Sequence, residues 1–155
     1  MEEFRKNFDA PDLDDCLKQQ RRSVEQIVQV SRQLLGPDQH EAWLVQGYGP
    51  CVAGAANGPF LLYDRIGGRW RKLLSTGGKR LRELKAADLG WPDLELFVHD
   101  SASSTVRYVY QFSGVRYTPI SCVVVSIPLS EIIGDHPHPK SAREPCDWDW
   151  RKQHN

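Results

Sequence analysis

Phe60-Leu61-Leu62-Tyr63-Asp64-Arg65-Ile66-Gly67-Gly68-Arg69-Trp70-Arg71-Lys72-Leu73-Leu74-Ser75 is the stretch on which the fold turns. Two runs rich in aromatic and aliphatic residues, Phe60 to Arg65 and Arg69 to Ser75, flank Ile66-Gly67-Gly68. Glycine enters positive φ without steric cost, and the tight turns of β-hairpins require it. The stretch therefore predicts two antiparallel strands.

Working outward, further short runs of this kind are punctuated by Gly, Pro and Asn, the signature of strands and turns. They are Ala42 to Gln46, Arg80 to Lys85, Leu94 to His99, Val106 to Phe112 and Arg116 to Val125. Ser113-Gly114 predicts a second hairpin between the last two. Tyr108, Tyr110 and Phe112 alternate with Arg107, Val109 and Gln111, which marks their face for the core. Upstream, the period changes. Leu13, Cys16, Leu17, Val24, Ile27, Val28, Leu34 and Leu35 recur at helical spacing, so Asp12 to Leu35 predicts one amphipathic helix. Asp9 or Asp12 would cap its start, and Gly36-Pro37 would stop it.

Short connections favour antiparallel neighbours. The expected fold is thus α+β, an N-terminal amphipathic helix packed on an antiparallel β meander of five to seven strands. The expected organisation is a flexible N-terminus over residues 1–10, one α+β domain over 11–130, and an irregular tail over 131–155. That tail carries His136-Pro137-His138-Pro139 and Cys146-Asp147-Trp148-Asp149-Trp150. Its two tryptophans are large apolar groups that could anchor it to the sheet.

The chain has 155 residues, with 20 Lys plus Arg balanced by 20 Asp plus Glu. A neutral molecule has no global attraction to nucleic acid or an anionic membrane, so any such site must be local. No apolar run approaches the roughly 20 residues of a membrane span, and Met1 to Lys6 lacks the apolar core of a signal peptide. Cys16, Cys51, Cys122 and Cys146 form no C-x-x-C pair, which argues against a structural metal. Four cysteines allow two disulfides in three connectivities, or four free thiols in a reducing cytosol. The expectation is an extracytoplasmic protein, periplasmic or secreted, whose export signal is absent from this chain; a cytoplasmic protein is the alternative.

The phrases Phe60-Leu61-Leu62-Tyr63, Gly68-Arg69-Trp70-Arg71-Lys72-Leu73-Leu74, Gly90-Trp91-Pro92-Asp93-Leu94 and Tyr110-Gln111-Phe112-Ser113-Gly114-Val115-Arg116-Tyr117 follow one another in order. Over about residues 42–122 the chain resembles a family of small, mostly uncharacterised bacterial exported proteins with an FG-GAP or VCBS-like β-blade. The resemblance implies an open sheet and, in propeller repeats of that kind, calcium in an Asp-rich loop. Here Asp88 to Asp93 offers only two carboxylates, short of the six to eight oxygens that calcium takes. No cofactor is expected.

Four constellations carry chemically useful residue types. His99-Asp100-Ser101 contains the groups of a hydrolytic triad, but adjacent strand positions do not converge as a triad must. Asp135, His136 and His138 could ligate a metal, yet flanking prolines argue against a preformed site. Cys51 has no basic neighbour in sequence to activate its thiol. Gly54-Ala55-Ala56-Asn57-Gly58 precedes a strand, not the helix N-terminus that a phosphate cradle uses.

The strongest electrostatic signal runs from Arg65 to Lys85, where Arg65, Arg69, Arg71, Lys72, Lys79, Arg80, Arg82 and Lys85 stand against Glu83 alone. Arg69 and Arg71 alternate with Trp70 and should share an exposed side, with Arg80 and Arg82 extending the patch. The expected function is non-enzymatic: an accessory, inhibitor-like or immunity-like protein presenting loops and a basic sheet face to another protein. The expected binding residues are Arg69, Trp70, Arg71, Lys72, Arg80, Arg82, His99 and Asp100. The alternatives are a small hydrolase using His99 or His40 with Asp100, or anion and nucleic-acid binding through the Arg65–Lys85 hairpin with Trp70 stacking on bases.

Overall fold

A computed structural model of the chain describes residues 10–36, 40–53, 57–86, 90–101, 104–125 and 143–145. The chain divides into two compact units, Met1–Gly78 and Lys79–Asn155.

In the first unit, helix α1 (Ala10–Gln20) is followed by a 3₁₀ turn (Val24–Gln26) and four strands. These are β1 (Val28–Leu35), β2 (His40–Gly47), β3 (Gly58–Ile66) and β4 (Arg69–Gly78), paired antiparallel in that order. The second unit has β5 (Arg80–Ala86), β6 (Pro92–Ser101), β7 (Ser104–Phe112), β8 (Tyr117–Val125) and the three-residue β9 (Arg143–Pro145), again antiparallel in chain order.

The expected α+β fold, one helix covering a meander of five to seven strands, is therefore wrong. Among the described residues the protein is mostly β, with two meanders and one short α-helix. The helix predicted over residues 12–35 ends fifteen positions early, and its second half is β1. The stop is local. Arg21 takes a left-handed φ of 51°, its N–H donates to Lys18 O, and Arg22 N–H donates to Leu17 O. This pair of bonds closes a helix end in the Schellman manner. Ser23 then opens the 3₁₀ turn, its N–H donating to Gln26 Oε1 at 2.9 Å. Past Ile27 the backbone pairs with β2 over all eight positions, Val28 opposite Gly47 through Leu35 opposite His40. The misleading stripe contained Val28 and Leu34, but in a strand Val30 and Leu34 are about half exposed while Leu35 is buried.

Leu13 and Leu17 of α1, Val24 and Ile27 of the turn, and Val45, Leu61 and Tyr63 of the sheet form the buried cluster of the first unit. The helix thus touches this sheet through two side chains rather than laying a long face along it. Cys16 and Cys51 form a disulfide that ties α1 to the segment after β2. Gly67 and Gly68, with φ of 56° and 81°, make the two-residue turn joining β3 to β4. A bulge between Leu62 and Tyr63 shifts the register of that hairpin.

In the second unit, Trp91 stacks on Phe112 at 4.2 Å between ring centres, and Tyr117 meets both rings. Tyr117 is buried and donates its hydroxyl to Pro92 O at 3.0 Å. Burial, and then the charges of Glu83 and Asp93, push its phenol well above the ordinary tyrosine range. Along β7, Phe112 is buried as expected but Tyr108 and Tyr110 are only half so; Thr105 and Val109 of the other face are buried too. Residues 131–155 lie outside the described residues except for Arg143–Pro145, which pair with Val125–Val123 of β8.

Candidate functional site

The expected basic patch divides between the two units. Arg69, Trp70, Arg71 and Lys72 lie on β4 of the first; Arg80 and Arg82 on β5 and His99 and Asp100 on β6 belong to the second. Two of the arginines are committed to buried acids. Asp64 has no exposed surface and sits opposite Arg71, whose Nε and Nη2 donate to its two oxygens at 3.1 and 2.5 Å. These hydrogen bonds raise the Arg71 guanidinium above its ordinary value, against the opposing effect of burial. His40 Nε2 lies 3.5 Å from the same carboxylate. In the second unit Glu95, 1 % exposed, accepts from Arg82 Nε and Arg107 Nε, one on each neighbouring strand. Arg82 also lies over the Phe97 ring.

The excess of eight cations over Glu83 along the Arg65–Lys85 segment is thus reduced by pairing across strands. The acids that answer them are the carboxylates set within the apolar runs Leu61 to Asp64 and Leu94 to Phe97. A buried carboxylate must be paired, so such positions signal a partner on an adjacent strand. Both guanidiniums become structural clasps.

The remaining charge gathers at the tip of the β3–β4 hairpin. Arg65, Ile66, Arg69 and Trp70 are exposed around Gly67-Gly68, and Arg65 lies 5.8 Å from the centre of the Trp70 ring. No carboxylate pairs with Arg65 or Arg69 among the described residues. Residues directly opposite in antiparallel strands share a face. Arg65 and Trp70 are opposite, as are Tyr63 and Lys72 one row further in, and the latter row continues through Trp43 to Arg32. Arg32, Trp43, Arg65, Trp70 and Lys72 therefore share one face of the sheet with Tyr63, which is buried in the core cluster and separates the half-buried Trp43 and the exposed Arg32 from the hairpin tip. Arg32 is paired with the exposed Glu41 at 3.1 Å. The sequence reading missed Arg32 and Trp43 because it assigned Arg32 to a helix; strand pairing alone places them here.

His99 is half-buried opposite Thr105, and Asp100 is exposed at an irregularity in the β6–β7 register; burial first, then Tyr110 and the Asp100 charge, raise the Tyr108 phenol. His40 meets Asp64 rather than a nucleophile. Among the described residues no three His, Cys, Asp or Glu side chains are grouped to hold a metal ion, and His136 and His138 lie outside them. Cys122, like Cys16 and Cys51, is disulfide-bonded; Cys146 lies outside the described residues. No helix of the described residues is long and apolar enough to cross a membrane.

No family model matches the chain, and neither the curated proteins nor the solved structures contain a match.

Proposed function

We propose that the protein acts by binding rather than turnover, presenting the β3–β4 hairpin tip to an acidic surface of another protein, as an accessory, inhibitor-like or immunity-like module. The observation that carries this reading is the solvent-exposed group of Arg65, Ile66, Arg69 and Trp70 about one rigid two-residue turn. Exposed Trp and Arg together are the residue types that dominate binding energy at interfaces. The Asp64 clasp supports it from the other side, since it compensates Arg71 and leaves Arg65 and Arg69 as the excess of charge on that hairpin. The Cys16–Cys51 disulfide supports an extracytoplasmic setting, where such bonds persist. The two antiparallel meanders are compatible with the FG-GAP or VCBS-like blade that the phrases over residues 42–122 resemble.

The test is titration of the oxidised chain with polyglutamate and, separately, with a single-stranded oligonucleotide, followed by tryptophan fluorescence at low and high salt. Polyglutamate binding that falls about tenfold or more in an Arg65→Glu, Arg69→Glu double variant, and again in Trp70→Ala, is the expected outcome, since charge reversal acts on electrostatic complementarity directly. Indifference of both variants sinks the proposal. Tighter, steeply salt-dependent binding of the oligonucleotide would transfer the same surface to single-stranded nucleic acid.

A further inference from the structure

A hollow of about 260 Å³ lies beside the end of α1 in the first unit, and its lining includes none of the hairpin-tip residues. Three cations line it: Lys18, Arg21 and Arg22. Leu17 and Val24, 5 % and 1 % exposed, supply its apolar lining, and Ser23 lines it as well. Asp14 and Glu25 also line it, so the hollow carries three cations and two acids, and both acids take part in further interactions. Lys18 pairs with Asp15 at 3.3 Å, an ion pair more than two-thirds exposed at both ends and therefore easily exchanged.

The three cations are exposed, and two features place the backbone that carries them. Arg21 is the only non-glycine residue with positive φ among the described residues, and it occupies the position of a Schellman closure where glycine is usual. A β-carbon there costs stability that glycine would not, and sites holding such strain are often functional. Beyond it, a methyl group built on Gly49 would lie 3.7 Å from Arg22 Nη1, so this guanidinium rests against the loop after β2. The Cys16–Cys51 disulfide anchors the same loop to α1.

We propose that this hollow binds a small organic phosphate. The guanidiniums of Arg21 and Arg22 would take the phosphoryl oxygens in forked, charge-assisted hydrogen bonds, with Lys18 and Ser23 completing the set. The compact body of the ligand would lie on Leu17 and Val24. The volume falls just under the ~300–1,000 Å³ of most small-molecule sites, which limits the ligand to a few heavy atoms beyond the phosphate.

The experiment follows backbone amide shifts of the full, oxidised chain during titration with glycerol phosphate, with inorganic phosphate, and with chloride at matched ionic strength. Saturable shifts confined to about residues 17–25 are expected with the phosphates and not with chloride. Arg22→Gln should weaken binding about tenfold, the usual effect of losing one charge-assisted contact. Arg21→Gly should raise the melting temperature by relieving the left-handed backbone, yet weaken binding, a combination that a purely structural role for Arg21 does not produce. Tighter binding of glycerol phosphate than of inorganic phosphate supports the proposal; equal affinities would show that Leu17 and Val24 hold no ligand body and would overturn it. Shifts that do not saturate, that chloride reproduces, or that survive both substitutions overturn it. Arg65→Glu with Arg69→Glu should leave this binding unchanged, so failure here and failure of the hairpin reading are separable.

Discussion

Asp64 and Arg71 form a pair whose two members would respond unequally to losing their partner. The Asp64 side chain has no exposed surface, whereas about a third of Arg71 reaches solvent. Deprived of Asp64, the guanidinium can turn outward on its flexible stem. Deprived of Arg71, the carboxylate stays in place, with His40 at 3.5 Å as the nearest remaining counter-group. Breaking a buried pair costs ~3–5 kcal/mol when the charge left behind cannot escape. We therefore expect Arg71→Met to cost about 3 kcal/mol and Asp64→Leu about 1–2 kcal/mol in denaturant unfolding. Equal losses in the two variants would show that the pair acts by packing alone. The acid itself was visible in the sequence as a charge within an apolar run; its partner was not, because pairing across strands depends on register.

At the scale of elements, seven strands and the first part of the helix, to Gln20, were legible, and β1 was not. All seven predicted strands exist, with ends displaced by up to three residues, because β-branched and aromatic runs bounded by turn residues leave little choice of conformation. From Val24 to Leu35 the apolar positions satisfy a helical period and also a strand exposed on one side. Long-range pairing with β2 decides between them, and that pairing cannot be read from a local window. The missed strand is also what hid Arg32 and Trp43 from the candidate surface. Gly67-Gly68 was legible for a physical reason that can be tested. A β-carbon at either position meets no atom within 4 Å, so any cost of substitution is in the backbone alone. Gly68→Asn should be tolerated within a few tenths of a kcal/mol, since Asn adopts left-handed φ readily, while Gly68→Val should cost ~1–2 kcal/mol. Thermal melting of the two variants side by side measures the difference, and equal melting temperatures would mean that the turn is not under this constraint.

Across the whole molecule, the cross-link and the division into units make a joint prediction. The Cys16–Cys51 bond spans 35 residues within the first unit. On the chain-entropy estimate a closed loop of that size is worth ~4 kcal/mol, a large share of the stability of a domain of this size. The sequence showed only that two disulfides were possible, and which cysteines meet follows from α1 lying against the end of β2. Removing the bond by Cys16→Ala with Cys51→Ala should therefore cost about 3–4 kcal/mol. Hydrogen exchange locates that loss. If the units open separately, amides of α1 and β1–β4 lose protection while those of β5–β8 keep theirs, because the constraint acts on one unit's unfolded state only. An equal fall in protection in all eight strands would show instead that the units unfold as one cooperative body, and the stability conferred by Cys16–Cys51 would then belong to the whole chain.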